Sequence, residues 1–314
     1  MKHLVVVNPK SFSKKTEMLF VVDDIKSFFD NDQADYLIHI SRYPRDAISV
    51  VKEYVQSANE LVRVYSVGGD GILFDCLNGI ANLPNTELAI IPYGTSTDFV
   101  RAFGEDKYPL FRDIEKQANA GTIPTDIISV GHRYILGFCC IGFEASVIFK
   151  YRDWSRRFPI LPKIFGKSFY FAGVPHTLFD KKLTTQKYEV RIDGKLYDGQ
   201  YVALNFANTP CYGGDKVPFP AADPTDGYID IMLINSKITP RFLAAINDYL
   251  KGKAQKYPDI FKGVRGKEIS IISDSPIQIV TDGEPYFDSS VHAKILSGAV
   301  QIVTPDGTPY KKRI

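Results

Sequence analysis

The sequence predicts an α/β N-terminal domain built on a parallel sheet, followed by a C-terminal antiparallel β-sandwich domain. The chain has 314 residues, enough for two cores. Its first part alternates short apolar runs with helical stripes, which is typical of a parallel α/β sheet. Beyond Ile123-Pro124 the pattern changes to short strands separated by Gly, Pro and Asp, which favours a sandwich. We place the domains at 1–125 and 126–303, with the tail 304–314 able to pack back on the first domain.

In the N-terminal domain, apolar runs predict strands and residues at helical spacing predict helices. The predicted strands are Leu4–Val7, Tyr36–Ile40, Leu61–Val67 and Leu88–Ile91. The predicted helices carry the stripes Leu19, Val22, Ile25, Phe29; Ala47, Ile48, Val51, Tyr54, Val55; and Leu73, Cys76, Leu77, Ile80.

In the C-terminal domain, Asp193-Gly194 is a hairpin signal between two strands. A helical insert is expected near 154–180, and a second helix at Arg241–Lys251. The predicted strands are Tyr188–Ile192, Leu196–Phe206, Tyr228–Ile234, Glu268–Ile272, Ile277–Thr281, Val291–Leu296 and Val300–Val303.

Composition excludes several classes of protein. Thirty-eight basic residues against thirty-six acidic ones give a net charge of +2, so bulk charge does not indicate a nucleic-acid partner. The four cysteines have no CxxC spacing, which argues against a disulfide framework or zinc cage and favours a reducing compartment. The first apolar run is too short for a signal peptide, and no uncharged apolar run approaches the roughly 18 residues of a membrane span. We therefore expect a cytoplasmic protein.

Gly68-Gly69-Asp70-Gly71 follows a predicted strand and opens a predicted helix. Glycines let backbone N–H groups approach an anion, and a helix N-terminus adds partial positive charge. Because Asp70 would repel phosphate unless a cation lay between them, the loop indicates a magnesium–nucleotide site. A tight strand–helix turn with Asp70 near an N-cap explains the tetrapeptide equally well.

Two further polar loops follow predicted strands. Asn8-Pro9-Lys10-Ser11 ends the first strand, and Gly94-Thr95-Ser96-Thr97-Asp98 ends the fourth. Each alone is an ordinary turn or cap. Ligands of parallel sheets bind beyond the carboxyl ends of the strands, so three such loops at one edge together predict a binding crevice.

These loops belong to a longer series of motifs through which the chain resembles the diacylglycerol kinase catalytic family, and within it the soluble bacterial lipid kinases. The blocks occur in family order over residues 8–285. Besides the three loops they are Leu77-Asn78-Gly79, Asp98-Phe99-Val100-Arg101, Thr125-Asp126-Ile127, Gly142-Phe143-Glu144-Ala145, Gly213-Gly214, Asp226-Gly227 and Asp282-Gly283-Glu284-Pro285.

The resemblance implies transfer of the γ-phosphate of ATP to a lipid hydroxyl, with magnesium, in a cleft between a nucleotide-binding domain and a β-sandwich. Diacylglycerol is the default acceptor. The family's catalytic base falls on Glu284, and Asp70, Asp98 and Asp126 match acidic positions of its active-site network. A magnesium site is implied around Asp223, Asp226 and Tyr228, with Asp126 nearby. The implied nucleotide contacts are Asn8, Pro9, Lys10, Ser11, Ser41, Gly68, Gly69, Asp70, Gly71, Asp75 and Thr95.

Both acidic turns have a structural alternative. A carboxylate such as Glu284 can accept the proton of an attacking hydroxyl, but Asp282-Gly283-Glu284 can equally be a hairpin turn. Asp223 to Tyr228 can present oxygens to a hard cation, or simply turn the chain before a strand.

The chain departs from the family pattern at its phosphate loops. Ile72 replaces the usual Thr or Ser, Phe74-Asp75 replaces Asn-Glu, Thr97 replaces Asn, and Phe12 replaces Gly. A noncatalytic nucleotide- or lipid-binding homologue is therefore one alternative. An NAD kinase, which shares the Gly-Gly-Asp-Gly loop, is the other.

Partners are predicted from one mixed segment. Residues 152–163 combine cations with Trp154 and large apolar side chains, which suits either contact with an anionic bilayer surface or a solvated link before a buried helix. Residues 165–173 are apolar on both helical faces and suit a buried helix or an acyl-chain pocket. We expect a lipid substrate, peripheral membrane association and no nucleic acid, and leave a homodimer open.

Overall fold

The computed structural model describes residues 1–94, 97–158, 160, 177, 186–197, 199–214, 216–235 and 239–311. The helices within this part are α1 Lys15–Asn31, α2 Asp46–Ser57, α3 Asp70–Ile80, α4 Tyr108–Arg112, α5 Ile114–Asn119, α6 Phe143–Arg157 and α7 Pro240–Tyr249. The strands are β1 Lys2–Val7, β2 Asp35–Ile40, β3 Val62–Gly68, β4 Thr86–Pro92, β5 Thr122–Val130, β6 Arg133–Ile135, β7 Phe138–Gly142, β8 Tyr188–Ile192, β9 Lys195–Tyr197, β10 Tyr201–Ala207, β11 Ile229–Asn235, β12 Phe261–Gly266, β13 Glu268–Thr281 and β14 Glu284–Val303.

The N-terminal part is a parallel sheet with helices on both faces, as predicted. Its strands lie in the order β2-β1-β3-β4. Alternate residues of β1 point to opposite faces: Leu4 and Val6 pack with α2 and α3, whereas Val5 and Val7 pack with α1 and α5. Because both faces are covered, the strands are continuous apolar runs.

The predicted apolar stripe of α1 is wrong at one residue. Leu19 is exposed, and Met18 is buried in its place beside Ile25 and Phe29. Met18 lies seven residues before Ile25, which is two helical turns, so it shares that face more closely than Leu19 does.

β14 joins the two halves of the molecule. Near its end, Gln301 and Ile302 pair in parallel with β4. The strand also pairs antiparallel, with β13 along its first half and with β5 along its second half. The described strands consequently form one continuous mixed sheet, and the two segments predicted at its C-terminal end belong to a single 20-residue strand. β5 runs across residue 125, and the division of the chain at that residue stays a prediction.

The C-terminal part confirms the predicted antiparallel sandwich. Alternation along β7 and β10 places Cys139 and Leu204 in a core between sheet layers, and Cys140 and Ala203 in a second core with α6 and α7. α7 matches the predicted helix closely. The stretch predicted as one strand at Leu196–Phe206 is two strands, β9 and β10.

The helical insert expected near 154–180 is described only in part. Trp154 to Arg157 form the last turn of α6, while 159, 161–176 and 178–185 lie outside the described residues, as does the segment 165–173. In the part that is described, no helix is long and apolar enough to cross a membrane.

Candidate active site

The loops after β1 and β3 are in direct contact. The backbone N–H of Gly69 donates to Ser11 Oγ at 3.3 Å, and the N–H of Asn8 donates to the carbonyl of Val67 at 3.0 Å. Gly68 has φ +153°, and a Cβ built on it would lie 2.7 Å from Ser11 Oγ. This approach therefore requires glycine.

The glycine loop opens α3 and is tied to the loop after β4. Gly69 is the N-cap of the helix and Asp70 its first residue. Asp70 Oδ1 accepts the backbone N–H of Asp98 at 2.9 Å, and Thr97 Oγ1 donates to the carbonyl of Gly68 at 3.4 Å. The three strand-end loops thus meet at one edge, as their motifs predicted. Thr95 lies outside the described residues.

Asp98 connects the two halves of the molecule. Its carboxylate accepts the backbone N–H groups of Gly213 and Gly214, the latter at 2.9 Å, and lies 3.7 Å from Arg101 Nε. Asp98 thereby holds a loop of the sandwich against the end of β4. The matching family blocks at 98 and 213–214, far apart in sequence, are neighbours in space.

Glu284 faces the glycine loop from the opposite side. It follows a tight turn in which Asp282 and Gly283 have φ +44° and +82°, so the predicted hairpin is present. A Cβ built on Gly71 would lie 3.9 Å from Glu284 Oε1. The side chain is 21% exposed, so a solute can reach it. Glu284 therefore follows a hairpin turn and also lies beside the glycine loop, so the structural and the functional interpretations of this motif are compatible.

Two arginines hold Glu284, and the sequence patterns missed both. Arg45 Nη2 lies 2.6 Å from Oε2, while Arg152 donates to Oε2 at 3.2 Å and to Oε1 at 3.1 Å. Arg152 also donates to the carbonyl of Gly283 at 2.7 Å. Arg152 begins the segment 152–163, for which a bilayer contact and a solvated link were both open, and Arg45 lies four residues beyond Ser41. No local spacing links either one to Glu284.

Asp75 belongs to the same ion-pair network. It pairs with Arg45, whose guanidinium lies 4.5 Å from the centre of the Phe74 ring. Burial raises the pKa of the Asp75 carboxyl, and Arg45 opposes that rise. Asp75 therefore acts on the site through Arg45, which it shares with Glu284.

Asp282 anchors the hairpin. Its buried carboxylate accepts the backbone N–H groups of Leu136, Gly137 and Phe138, at 2.8, 3.1 and 2.8 Å. Burial raises the pKa of Asp282 to about 6, against the effect of these hydrogen bonds. With its oxygens directed into the turn before β7, Asp282 is a structural residue of the motif.

The remaining predicted nucleotide contacts lie at the same sheet edge. Asn8 Oδ1 accepts the N–H of Lys10, and Pro9 begins a short 3-10 helix that ends at Ser11. Ser41 follows β2, and its hydroxyl donates to Asp46 Oδ1 at 2.7 Å. Burial opposes ionisation of Asp46, yet hydrogen bonds from the backbone of Arg42 and from Ser41 lower its pKa overall.

Asp126 is a buried residue of β5, and its carboxylate connects this strand to two turns. Its oxygens accept the backbone N–H groups of Gly227 and Gly298, both at 2.7 Å. Burial raises the pKa of this carboxyl, while these two hydrogen bonds oppose the rise. These two hydrogen bonds give the buried Asp126 carboxylate its partners within the protein.

The turn at residues 223–228 is also internally satisfied. Asp223 Oδ1 accepts from the backbone and hydroxyl of Thr225, and Asp226 accepts the N–H of Tyr228 and pairs with Arg265. Across the described residues, no group of three or more His, Cys, Asp or Glu side chains could hold a metal ion. Both carboxylates of the turn therefore already have partners within the protein, Asp223 in Thr225 and Asp226 in Arg265. The predicted site remains a prediction.

The departures from the family pattern have packing roles. Ile72 is buried against Gly68, and Phe12 stacks on Tyr93 at 5.0 Å between ring centres. Phe74 is buried and supports Arg45. Each of these three apolar replacements packs beside one of the strand-end loops or supports a residue next to them.

The comparisons with known proteins agree with this architecture. Residues 2–130 match the diacylglycerol kinase catalytic domain, and residues 165–304 match the YegS C-terminal NAD kinase beta sandwich-like domain. Together the two matches span most of the chain. Residues 2–130 therefore form a diacylglycerol kinase catalytic domain, the family that the motifs indicated.

The individual relatives are only 22% to 26% identical to this chain in sequence. A candidate lipid kinase of Staphylococcus aureus, strain bovine RF122, is 26% identical over 275 residues, covering 85% of this chain and 86% of that protein. A candidate lipid kinase of strain N315 is also 26% identical, with the same coverage. Two crystal structures from Bacillus anthracis, one of a diacylglycerol kinase and one of a candidate diacylglycerol kinase, superpose with TM-scores of 0.70 and 0.72 at 22% and 23% identity. Both cover 98% of this chain, and 98% and 96% of their own. These structures share the fold.

Proposed function

We propose that the protein transfers the γ-phosphoryl group of ATP to a lipid hydroxyl, with diacylglycerol as the default acceptor. The observation that carries this proposal is the position of Glu284, whose Oε1 faces Gly71 of the loop that opens α3. Backbone N–H groups and a helix N-terminus on one side favour a phosphate, and a carboxylate on the other suits a proton acceptor.

The step follows from that placement. The acceptor oxygen forms a bond to the γ-phosphorus, the bond to the β–γ bridging oxygen breaks, and ADP leaves. The hydroxyl proton passes to Glu284. ATP enters as its magnesium complex, and the metal is part of the substrate. The protein contributes positioning and charge neutralisation through its loop amides and nearby cations.

The arginine pair leaves Glu284 able to accept this proton. Oε2 is bound by both Arg45 and Arg152, whereas within the described residues Oε1 is bound only by Arg152. A carboxylate oxygen can accept two hydrogen bonds, so Oε1, the oxygen nearer Gly71, retains a free lone pair.

The direct test incubates the protein with labelled ATP, Mg²⁺ and either a total lipid extract or NAD, and reads the products by mass spectrometry. A lipid that gains the mass of one phosphate supports the proposal. Phosphorylated NAD with unchanged lipids would identify an NAD kinase instead. Nucleotide binding without turnover of any acceptor would identify a noncatalytic homologue.

We also propose that the enzyme is cytoplasmic and meets its substrate as a peripheral membrane protein. The end of α6 supports the membrane contact, since Arg156, Arg157 and Phe158 are all exposed there. Cations beside an exposed aromatic residue suit an anionic bilayer surface.

Vesicle binding tests this surface. Replacing both Arg156 and Arg157 by Glu should abolish co-sedimentation with anionic vesicles, and wild-type binding should weaken as salt is added. Exposed Arg241 of α7, which pairs with Asp259, provides the matched control as Arg241→Glu. Equal binding by the double variant and wild type would remove this surface from the proposal.

A further inference from the structure

Arg45 has a backbone conformation that arginine rarely adopts. It is the residue before α2, with φ +72° and ψ +3°, in the left-handed region. In the described part of the chain, the other non-glycine residues with positive φ are all Asn, Asp or Gln, and the first two tolerate this region because their short polar side chains bond locally. The Arg45 side chain makes no capping hydrogen bond to α2. Strained residues of this kind cluster at functional sites, so we expect its side chain to act elsewhere.

The side chain of Arg45 is fixed on three sides. Nη1 donates to Asp75, Nη2 lies 2.6 Å from Glu284 Oε2, and the guanidinium lies 4.5 Å from the centre of the Phe74 ring. Phe74 and Asp75 are the two positions at which Phe-Asp replaces the family's usual Asn-Glu. This departure from the family pattern therefore holds a guanidinium beside the proposed base.

Arg45 lies where it can reach a phosphoryl group at the glycine loop. Its side chain is 36% exposed, and together with Glu284 it lines a cavity of about 540 Å³. A hydroxyl whose proton goes to Glu284 Oε1 lies about 3 Å from that oxygen, and the phosphorus it attacks lies about 3–3.5 Å further on. Oxygens of the phosphoryl group thus come within reach of the long Arg45 side chain. The loop has Ile72 where the family has a hydroxyl, so it lacks one donor that the guanidinium can replace.

Before substrate binds, the charge of Arg45 is balanced within the protein. Arg45 contacts both Asp75 and Glu284, and Arg152 also pairs with Glu284, so these four groups carry no net charge. Transfer of the hydroxyl proton to Glu284 removes one negative charge from them. Arg45 then retains only Asp75 as an anionic partner among the described residues, and its attraction for the phosphoryl oxygens increases. An interaction that strengthens in the transition state raises kcat.

We propose that Arg45 is a catalytic residue that binds the transferring phosphoryl group. This inference rests on the proposed function and adds a residue to its mechanism. A guanidinium has more N–H donors than the contacts with Asp75 and Glu284 use, and its planar fork matches phosphate oxygens. Arg45 donates to the γ-phosphoryl oxygens of ATP, and more strongly once Glu284 has taken the proton. The bonds formed and broken are unchanged, and Arg45 keeps its own protons throughout.

Nucleotide binding without an acceptor tests this contact. Calorimetry measures the affinities of wild type and Arg45→Gln for ATP and ADP, each with Mg²⁺. Only ATP carries the γ-phosphoryl group, so we expect Arg45→Gln to bind ATP about tenfold more weakly while its affinity for ADP stays the same. Arg45→Lys keeps a charge beside the buried Asp75 and should fold normally, yet recover only part of the ATP affinity. If Arg45→Gln fails to fold, the Lys variant makes the same comparison. Arg191→Gln, at an exposed arginine paired with Glu189, should match wild type.

A second background separates this role from that of holding Glu284 in position. In Glu284→Gln the carboxylate is absent, so an arginine that acted only by orienting it would no longer matter. We expect Arg45→Gln to weaken ATP binding in this background by the same factor as in wild type. With Glu284 intact, kcat should fall by at least about a hundredfold in Arg45→Gln, as when a donor to transition-state charge is lost.

Other outcomes overturn the inference. Equal losses of ATP and ADP affinity in both Arg45 variants would show that the arginine supports the loop rather than the γ-phosphoryl group. Unchanged ATP affinity would show that it does not contact the nucleotide. An effect that disappears in the Glu284→Gln background would make Arg45 a positioning residue for the base.

The inference and the proposed function can fail separately. If ATP affinity depends on Arg45 as expected but no lipid is phosphorylated, the contact with the γ-phosphoryl group stands and the lipid kinase proposal fails. If lipid is phosphorylated at the same rate by wild type and Arg45→Gln, the proposed function stands and the inference is wrong.

Discussion

Gly68 is the residue at which the loops after β1 and β3 approach most closely. Its φ is +153°, and a Cβ at this position would lie 2.7 Å from Ser11 Oγ and 2.9 Å from Ile72 Cγ2, so a side chain here would strain the backbone and displace both neighbours. Gly71, three residues on, lies in the first turn of α3, and a Cβ built on it would meet only Glu284 Oε1 outside the helix backbone, at 3.9 Å. The two glycines therefore serve different purposes within one motif.

Alanine at each glycine should separate these purposes. Gly68→Ala should displace Ser11, lower the melting temperature and raise the KM for ATP about tenfold or more. Gly71→Ala should keep or slightly raise the melting temperature, because alanine is favoured over glycine inside a helix by roughly 0.5–1 kcal/mol. Thermal unfolding and nucleotide kinetics measure both effects. Normal ATP binding by Gly68→Ala would show that the loop contact is dispensable.

At the same scale, the sequence predicted the loop residues but not their ion-pair partners. Asp70, Asp98 and Glu284 stand in short motifs whose turns can be recognised locally. Arg45 and Arg152 reach Glu284 across long stretches of chain, and nothing in the spacing of either arginine marks that contact. Such partners are decided by tertiary packing rather than by local pattern.

At the scale of elements, the buried parallel strands were the easiest to predict. β1, β3 and β4 are continuous apolar runs because helices cover both faces of their sheet. β5 was not predicted, since Pro124 within it indicated a break, yet this proline pairs with Gln301 along the ladder. Periodicity also could not show that two segments separated by Gly298 belong to the single strand β14.

β1 carries a titratable group that ties its stability to pH. His3 is 6% exposed, its Nδ1 lies 2.8 Å from the Tyr65 hydroxyl, and its ring packs on Phe29. Burial lowers the pKa of His3 to about 4, with a further contribution from Arg63. The unfolded chain therefore takes up this proton at a higher pH than the folded protein.

We expect His3 to stabilise the fold fully above about pH 6.5, and this contribution to be lost as the pH falls towards about 4. The loss is on the order of 3 kcal/mol, from the difference between the two pKa values. His3→Phe, which keeps an aromatic ring without the titratable group, should show a shallower fall in the free energy of unfolding between pH 7 and pH 5. Urea denaturation at both values makes the comparison, and parallel falls in the two proteins would contradict the assignment.

For the whole molecule, a strand pairing and a side-chain contact both help to join the halves. β14 pairs with β4 through backbone hydrogen bonds, and Asp98 accepts the N–H groups of Gly213 and Gly214 from the sandwich. The fold class of each half followed from its own pattern. The sequence did not predict the single sheet that runs through both halves, because pairing between distant strands leaves no local pattern in the sequence.

Asp98→Ala should loosen the second connection. We expect faster amide hydrogen exchange at Gly213 and Gly214, a lower melting temperature, and reduced turnover, because the two sides of the site are no longer held together. Asp106→Ala, at an exposed residue of the same region, is the control. Unchanged exchange at the two glycines would mean that Asp98 is not needed to hold their loop in place.

Under the proposed function, Glu284 takes the proton of a lipid hydroxyl beside the glycine loop. Its most direct test is the rate of ATP-dependent lipid phosphorylation by Glu284→Gln relative to wild type. Gln retains an acceptor oxygen, Arg45 keeps Asp75, and Arg152 keeps the carbonyl of Gly283, so the fold should survive. We predict that kcat falls by roughly 10²–10⁴-fold while the KM for ATP and the melting temperature hardly change. The comparison variant Asp282→Asn should instead lose stability, since its carboxylate anchors the turn. A near wild-type rate in Glu284→Gln would contradict the account.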